Sequence, residues 1–350
     1  MAAAGCRTPA APATDPQPAG GIFMASAVVV PEALRRRYLR SREGRNWVES
    51  LPGLVDDALA SFGLIPDDSA AAHSWHGHGA LVVPVLTADR TPAVLKLPFP
   101  HPEAESEAPA LQLWAGRGAV RLLDRDTAGS ALLLERLDPE KTLLQVPIAQ
   151  AIHVWGGLVR ELGIPESEEP EWAAIPSAAE RAEQLSDELP AEWEALGQPF
   201  ERWLLEEALA VCQTRGAVGR RSSRDVLVHA DLHFGNVLAR PDGGWAAIDP
   251  QAVCGEAEYA VAPMLWNRLG DLAAVAPERS LVQRLHGLCE AGGLDPGAAA
   301  EWSILREVAN ALDYLRDGMA ADAQRSVWVA SALAGKTHPG LPPVSELPAA

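Results

Sequence analysis

Residues 225–251, DVLVHADLHFGNVLARPDGGWAAIDPQ, decide how the rest of the chain is read. "DVLVHA" is a short apolar strand. "NVLAR" and "WAAID" are two more, joined by "PDGG", a turn whose glycines allow positive φ. Asp231 and Asn236 therefore bracket one loop, and Asp249 ends the second strand of the hairpin. His229 is placed to brace the loop backbone, and Gly235 permits a tight turn. A zinc site at His229 and His233 is a weak reading, because His-x-x-x-His on a loop lacks the fixed i, i+4 face of a helix.

Composition narrows the partners. The chain has 350 residues, 48% of them hydrophobic, enough for two lobes each with its own core. Acidic residues outnumber basic ones 47 to 29, a formal charge of −18. Nucleic acid, which demands a basic face, is not an expected partner. Gathered carboxylates would instead attract a cation, although acidity also simply keeps a protein soluble. No apolar run approaches the roughly 20 residues of a membrane span. Cys6, Cys212, Cys254 and Cys289 lie far apart and form no Cys-x-x-Cys pair. That usage fits a reducing cytosol, so a cytoplasmic location is expected, with no obligate protein partner evident.

Outward from the hairpin, the chain has two halves. Residues 1–23 are rich in Ala, Pro and Gly without the apolar core of a signal peptide, and are expected to be disordered; Met24 is an alternative start. Helices are expected at 31–40, 45–62 and 103–117, with Pro109 tolerable only near a helix start. Strands are expected at 80–87, 92–97 and twice within 119–137; Pro84 suggests an edge position or a bulge. Beyond residue 138 helical patterns dominate, at 145–163, 177–195, 199–215, 258–275, 278–291, 296–317 and 321–334, interrupted by the hairpin region at 226–249. The expected fold is therefore α+β and bilobal: a β-rich N-lobe at 24–137, a larger, mainly helical C-lobe at 138–340, and a tail at 341–350.

Asp231, four residues, then Asn236 is the spacing of a kinase catalytic loop, and Asp249 falls where kinases place a metal-binding aspartate. The residue types suit the chemistry. Phosphoryl transfer to a hydroxyl needs a base, Asp231, and Mg²⁺ prefers hard oxygen ligands, here the Asn236 amide and the Asp249 carboxylate. Lys96, between apolar neighbours on a strand, needs a partner for its charge. The phosphates of ATP would supply one; alternatively, the side chain points to solvent from an edge strand. Gly77 and Gly79 in "WHGHGALVV" offer backbone amides to phosphates, or form a plain turn. No GxxxxGK[ST] segment is present.

"HADLHFGNVL" with "AIDPQ" resembles the aminoglycoside phosphotransferase-like kinases, most closely the branch that groups streptomycin 6-phosphotransferases with hydroxyurea kinases. "VLKLPFP" (94–100), "LQLWAGRGAVRLLDRD" (111–126), "ALLLERLDPEKTL" (131–143) and "PMLWNR" (263–268) fit the same branch, and the resemblance covers roughly residues 45–335. It implies a protein-kinase-like fold, ATP and Mg²⁺ as cofactors, Glu107 as the carboxylate that pairs with Lys96 (Glu103 and Glu105 being near alternatives), and a hinge marked by Glu135, Arg136 and Leu137 whose backbone meets adenine. It also implies a small hydroxylated acceptor, streptomycin-like and cationic; the alternatives are hydroxyurea or another small metabolite. A nucleotide-binding module without catalysis is a third reading, and a protein kinase is disfavoured because no DFG or APE segment follows Asp249.

For a cationic acceptor, acidic residues are dense at 180–207, with a second set at Asp271, Glu301, Glu307, Asp313 and Asp317. The second set is the better candidate, although most such charges simply face water. Trp266 and Trp302 lie towards the same side and serve equally as core residues. Ala260 departs from the family pattern, which has an aspartate there.

Overall fold

The computed structural model describes residues 30–67, 75–76, 79–126, 130–218, 224–336, 338 and 340–348. The smaller lobe starts with α1 (Glu32–Tyr38) and α2 (Arg42–Phe62). Ser41 caps α2 by accepting from Gly44 N, and Gly63, at φ +63°, ends it. Then come β1 (Ile65–Pro66), β2 (Trp75–His76), β3 (Ala80–Leu86), β4 (Pro92–Pro98), two short helices α3 (Pro102–Glu105) and α4 (Glu107–Trp114), and β5 (Leu122–Arg125) and β6 (Leu132–Glu135). The strands form one antiparallel sheet in the order β1-β3-β4-β6-β5, with β2 also on β3.

The two-residue period of β4 positions the site. Ala93, Leu95 and Leu97 join the cluster built on Trp47, Leu51 and Val55 of α2. Val94 faces the opposite way, into a core shared with Trp114 of α4, and Lys96 shares its parity. Since β4 is flanked by β3 and β6 and Lys96 is buried, the solvent-facing edge reading of this lysine is excluded.

Pro84 lies within β3, whose ladder to β4 is unbroken. Its carbonyl accepts from Asp67 N, so its nitrogen faces the same outer side, in the gap between β1 and β2, where no ladder bond is lost. The helix expected at 103–117 is two helices, broken at Ser106. Pro109 explains the break: its ring opposes the carbonyl four residues earlier, at Glu105, where α3 ends, and the break leaves Pro109 in the first turn of α4.

The larger lobe holds β7 (Asp138–Thr142), α5 (Ile148–Leu162), α6 (Ala178–Ala195), α7 (Arg202–Arg215), β8 (Val226–Val228), β9 (Val237–Ala239), β10 (Trp245–Ala247), β11 (Val253–Gly255), α8 (Ala262–Trp266), α9 (Pro277–Gly292), α10 (Pro296–Arg316) and α11 (Ala320–Leu333). The chain is thus α+β with a small sheet lobe and a larger helical one. The hairpin β9-β10 gains a third strand, β7, and β11 pairs with β8, so the β region exceeds 226–249 at both ends. The single helix expected at 258–275 is absent. α8 stops at Trp266, and Arg268 turns to φ +53°. Buried Arg284 donates to the carbonyls of Asn267 and Arg268, and Arg268 donates to those of Leu143 and Val146. These tertiary bonds override the local helical pattern.

The largest apolar cluster spans both lobes and includes Trp114, Trp155 and Phe234. It needs α5 and α9 in close contact. A Cβ on Gly156 would lie 2.4 Å from the Ala291 carbonyl carbon, whereas one on Gly157 would meet nothing within 4 Å. Gly156→Ala is therefore expected to destabilise by about 1–3 kcal/mol, and Gly157→Ala to be neutral or stabilising by about 0.5–1 kcal/mol. Chemical denaturation of both variants checks this; equal stabilities would contradict the close helix contact.

Candidate active site

β8 delivers the chain to a loop held from several sides. Ala230 takes φ +58° and reverses the backbone just before Asp231. His229 is buried, stacks on Trp114 with ring centroids 6.0 Å apart, and its Nε2 meets the Ile248 carbonyl at 3.0 Å. Burial holds its imidazole at about 4, so it is neutral at pH 7 and donates from Nε2. The His229 carbonyl accepts from Gln251 N, joining the loop again to the segment after β10. Trp155 Nε1 donates to the Leu232 carbonyl at 3.0 Å. Gly235 N donates to His233 Nδ1, and His233 Nε2 faces Asp231 Oδ2, 3.8 Å away. Asn236 Nδ2 donates to the Asp231 carbonyl at 2.9 Å and to Asp231 Oδ2 at 3.1 Å. With Nδ2 engaged, the amide oxygen is the atom left to meet a cation.

Asp249 also sits at positive φ, +58°, a strained position for a non-glycine residue that turns its carboxylate into the cleft. Lys96 Nζ bridges two carboxylates, Glu107 Oε1 at 2.5 Å and Asp249 Oδ1 at 2.6 Å. Burial pulls the Lys96 ammonium down, but the two carboxylates outweigh it and hold it above its ordinary value. Lys96 keeps Asp249 below the usual carboxylate range, while burial pushes Glu107 up. Residues 96, 107 and 249, from a strand, a helix and a hairpin, thus form one ion-paired chain.

These three residues meet at a cleft of about 280 Å³ between the lobes. Ala80, Val82, Val94 and Leu134 form its apolar roof, Leu238 and Ile248 its floor. Glu135 and Leu137 line it at the connection between lobes. The Glu135 side chain is taken by Arg240, which also donates to the carbonyls of Gly116 and Ala119, and Arg136 is taken by Asp67 and the carbonyls of Val85 and Ala93. Both side chains are spent on holding the connection, leaving main-chain groups and Leu137 for a ligand. Gly79 lies at a bend before β3, its carbonyl bonded to Phe99 N. Gly77 lies outside the described residues.

Metal binding can be judged from donor chemistry. Among the described residues no group of three or more His, Cys, Asp or Glu could hold a metal. Asn236 and Asp249 both line the cleft and supply two hard oxygens. That donor set fits Mg²⁺, which keeps waters and takes phosphate oxygens for its remaining positions.

On the acceptor side, half of the expected carboxylates are already paired. Asp271 meets Arg268, Glu301 meets Arg215, and Asp313 meets Arg316; at 180–207, Glu188, Glu192, Glu206 and Glu207 also have basic partners. Trp302 is core, donating to Glu256, whereas half-buried Trp266 stands 5.7 Å from the His233 ring. Ala260 lines a small void beside His229, whose Nδ1 is buried without a partner. Arg240, Arg268 and the Arg215–Glu256 pair were not anticipated. Their partners lie up to about 125 positions away in sequence, and no local pattern marks them.

Comparison with known proteins agrees with this geometry. A family model described as aminoglycoside/hydroxyurea antibiotic resistance kinase matches residues 69–318. The chain is 37% identical over 314 residues to a streptomycin 6-kinase of Streptomyces glaucescens, covering 88% of this chain and 98% of that one. It is 36% identical over 319 residues to a hydroxyurea phosphotransferase of Kitasatospora aureofaciens, covering 89% and 87%. Among solved structures, a thermostable mutant of the aminoglycoside phosphotransferase APH(4)-Ia aligns with a TM-score of 0.52 at 16% identity, over 80% of this chain and 99% of that one. At that identity the likeness concerns the fold, the two-lobed kinase-like plan.

Proposed function

Because the chain belongs to the aminoglycoside/hydroxyurea antibiotic resistance kinase family, we propose that it is an ATP- and Mg²⁺-dependent phosphotransferase that inactivates an aminoglycoside, streptomycin-like, by phosphorylating one hydroxyl. The observation that carries the reading is the convergence of Lys96, Asn236 and Asp249 on one cleft, with Glu107 paired to Lys96 and Asp231 bonded to Asn236. Residues 24–137 would hold the nucleotide; residues 138–340 would supply the catalytic loop and the acceptor site.

Each residue has a role in this reading. Leu137 and the apolar roof would receive adenine, with backbone groups near Glu135 and Leu137 reading its edge. Gly77 and Gly79 would lie over the phosphates. Lys96, oriented by Glu107, would turn from Asp249 towards the α- and β-phosphates. Asn236 and Asp249 would hold Mg²⁺, which neutralises charge on the phosphates when bound. Asp231 would orient the acceptor hydroxyl and take its proton as the O–P bond forms.

The near-equal identity to the hydroxyurea phosphotransferase favours one second reading, a small neutral acceptor. ATP consumption by purified protein with Mg²⁺, measured with streptomycin, other aminoglycosides, hydroxyurea and no acceptor, separates them. Turnover dependent on streptomycin is the expected result; turnover with hydroxyurea alone would replace the acceptor, and bound nucleotide without turnover on any acceptor would count against the enzyme reading.

A further inference from the structure

β9 has one role in the floor of the cleft and a second at its end. Leu238 lines the cleft. Arg240, two residues on and so on the same side of the strand, reaches past the floor to the connection between the lobes. Its main chain is fixed by the hairpin turn: Arg240 N donates to the Gly244 carbonyl at 3.1 Å, and its carbonyl accepts from Gly243 N at 3.1 Å. Its guanidinium takes three partners. Nη1 donates to Glu135 Oε1, and Nη2 donates to the carbonyls of Gly116 at 2.9 Å and Ala119 at 2.8 Å. Glu135 Oε1 also accepts from Arg121 N at 2.8 Å, and Glu135 N donates to the Arg121 carbonyl at 3.0 Å.

These partners belong to three walls of one site. Glu135 begins the connection that lines the cleft with Leu137. Gly116 and Ala119 lie just past α4, the helix whose first residue, Glu107, holds Lys96. The hairpin of β9 and β10 supplies Leu238 and leads into Ile248 and Asp249. The segment after α4 is tied to that hairpin a second time: Val120 N donates to the Ala247 carbonyl at 2.8 Å, and Ala247 N to the Gly118 carbonyl at 2.9 Å. Arg136 gives the contrast. Its partners, Asp67 and the carbonyls of Val85 and Ala93, all belong to the small lobe, whereas Arg240 joins the large lobe to the small one. The Arg240 and Glu135 side chains are 17% and 21% exposed. In that setting a charged hydrogen bond is stronger than at the surface, and one planar fork holds several oxygens at fixed spacing.

We propose that Arg240 is a positioning residue for the nucleotide: it sets the height of the cleft by holding the floor, the connection between the lobes and the end of the Glu107 helix at one spacing. It acts through Glu135 and through the anchoring of α4, without touching the nucleotide itself. This deepens the nucleotide half of the reading above and rests on it. Without the Arg240 guanidinium, the Glu135 carboxylate keeps the Arg121 amide, the carbonyls of Gly116 and Ala119 lose a shared donor, and the roof is free to shift against the floor. The loss falls on nucleotide affinity because adenine would be gripped from both sides, by Val94 and Leu134 above and by Leu238 and Ile248 below.

Arg240→Met keeps an unbranched apolar stem and removes the fork. Its dissociation constant for ADP, read by titration calorimetry, is expected to rise at least about 10-fold, the size of a lost charged hydrogen bond. Arg240→Lys, which keeps the charge without the planar fork, is expected to recover part of the loss. Glu135→Gln, which keeps an oxygen for Arg121 N, is expected to raise the constant about 3-fold. In steady-state kinetics the same variants are expected to raise KM for Mg·ATP and leave KM for the acceptor unchanged. ADP affinity equal to that of wild type in a variant whose Tm has fallen would make Arg240 a structural bond alone and overturn the proposal, as would an equal rise of both KM values. If Arg240→Met does not fold, Arg240→Lys and Glu135→Gln carry the same test. ADP binding needs neither acceptor nor turnover, so the two readings fail separately. Weaker ADP binding in Arg240→Met supports the positioning role even where wild type phosphorylates no acceptor; equal ADP binding removes it even where phosphorylation proceeds. A wild type without affinity for ADP would remove both.

Discussion

Asp231→Asn is expected to lower kcat by at least about 100-fold, some 2.7 kcal/mol of barrier, while leaving Mg·ATP affinity near that of the unaltered protein. The geometry supports this separation. Asp231 is not a member of the Lys96–Glu107–Asp249 chain and accepts from Asn236, which lines the cleft. An asparagine can occupy the same volume, and the backbone bonds of the loop, Trp155 to Leu232 and Gln251 to His229, do not involve the side chain being changed. What disappears is the basic oxygen proposed to take the hydroxyl proton. Steady-state kinetics with a nucleotide-binding titration checks both halves; unchanged turnover would remove Asp231 from the base role.

Asp249→Ala is expected to act on the metal. In the proposed reading Asp249 would supply one of two hard oxygens from the protein, and it is one of two anions holding Lys96. Its loss should raise the Mg²⁺ concentration needed for half-maximal activity by at least about 10-fold, since even indirect partners of a metal are worth that much, and lower kcat besides. Lys96 would keep Glu107 as its only anion in this chain, and the strain at φ +58° would fall on an alanine with no compensating contact. A Mg²⁺ titration of activity reads the effect directly. Normal metal activation would contradict the ligand role and leave Asp249 as a partner of Lys96 alone.

Much of this was legible in the sequence because it depends on short-range order. The period of β4 turns Lys96 towards the cleft, and the loop and hairpin between 227 and 249 are compact enough for spacing to place Asp231, Asn236 and Asp249 together. Pro84 marked a gap in pairing, and Pro109 marked a helix boundary whose position only the fold revealed. Other features had no local signature. "DPEKT" has neither period nor apolar content, and it is a strand because β9 offers it an edge. The helix expected over 258–275 fails because Arg284 and Arg268 reach carbonyls distant in sequence. The acidic residues were misleading as a group: composition shows their number, but only packing shows that half of the expected ones are paired with basic side chains and that Glu307 is buried.

The central claim is that this chain moves the γ-phosphoryl group of ATP to a hydroxyl of a cationic acceptor. The most direct measurement follows that group: labelled at the γ-phosphate, ATP is incubated with streptomycin, Mg²⁺ and either the wild-type protein or Asp231→Asn, and the acceptor is isolated. Label on streptomycin with the wild type, and little with the variant, is the predicted result. Label released as free phosphate whether or not acceptor is present, or equal transfer by both proteins, would contradict it.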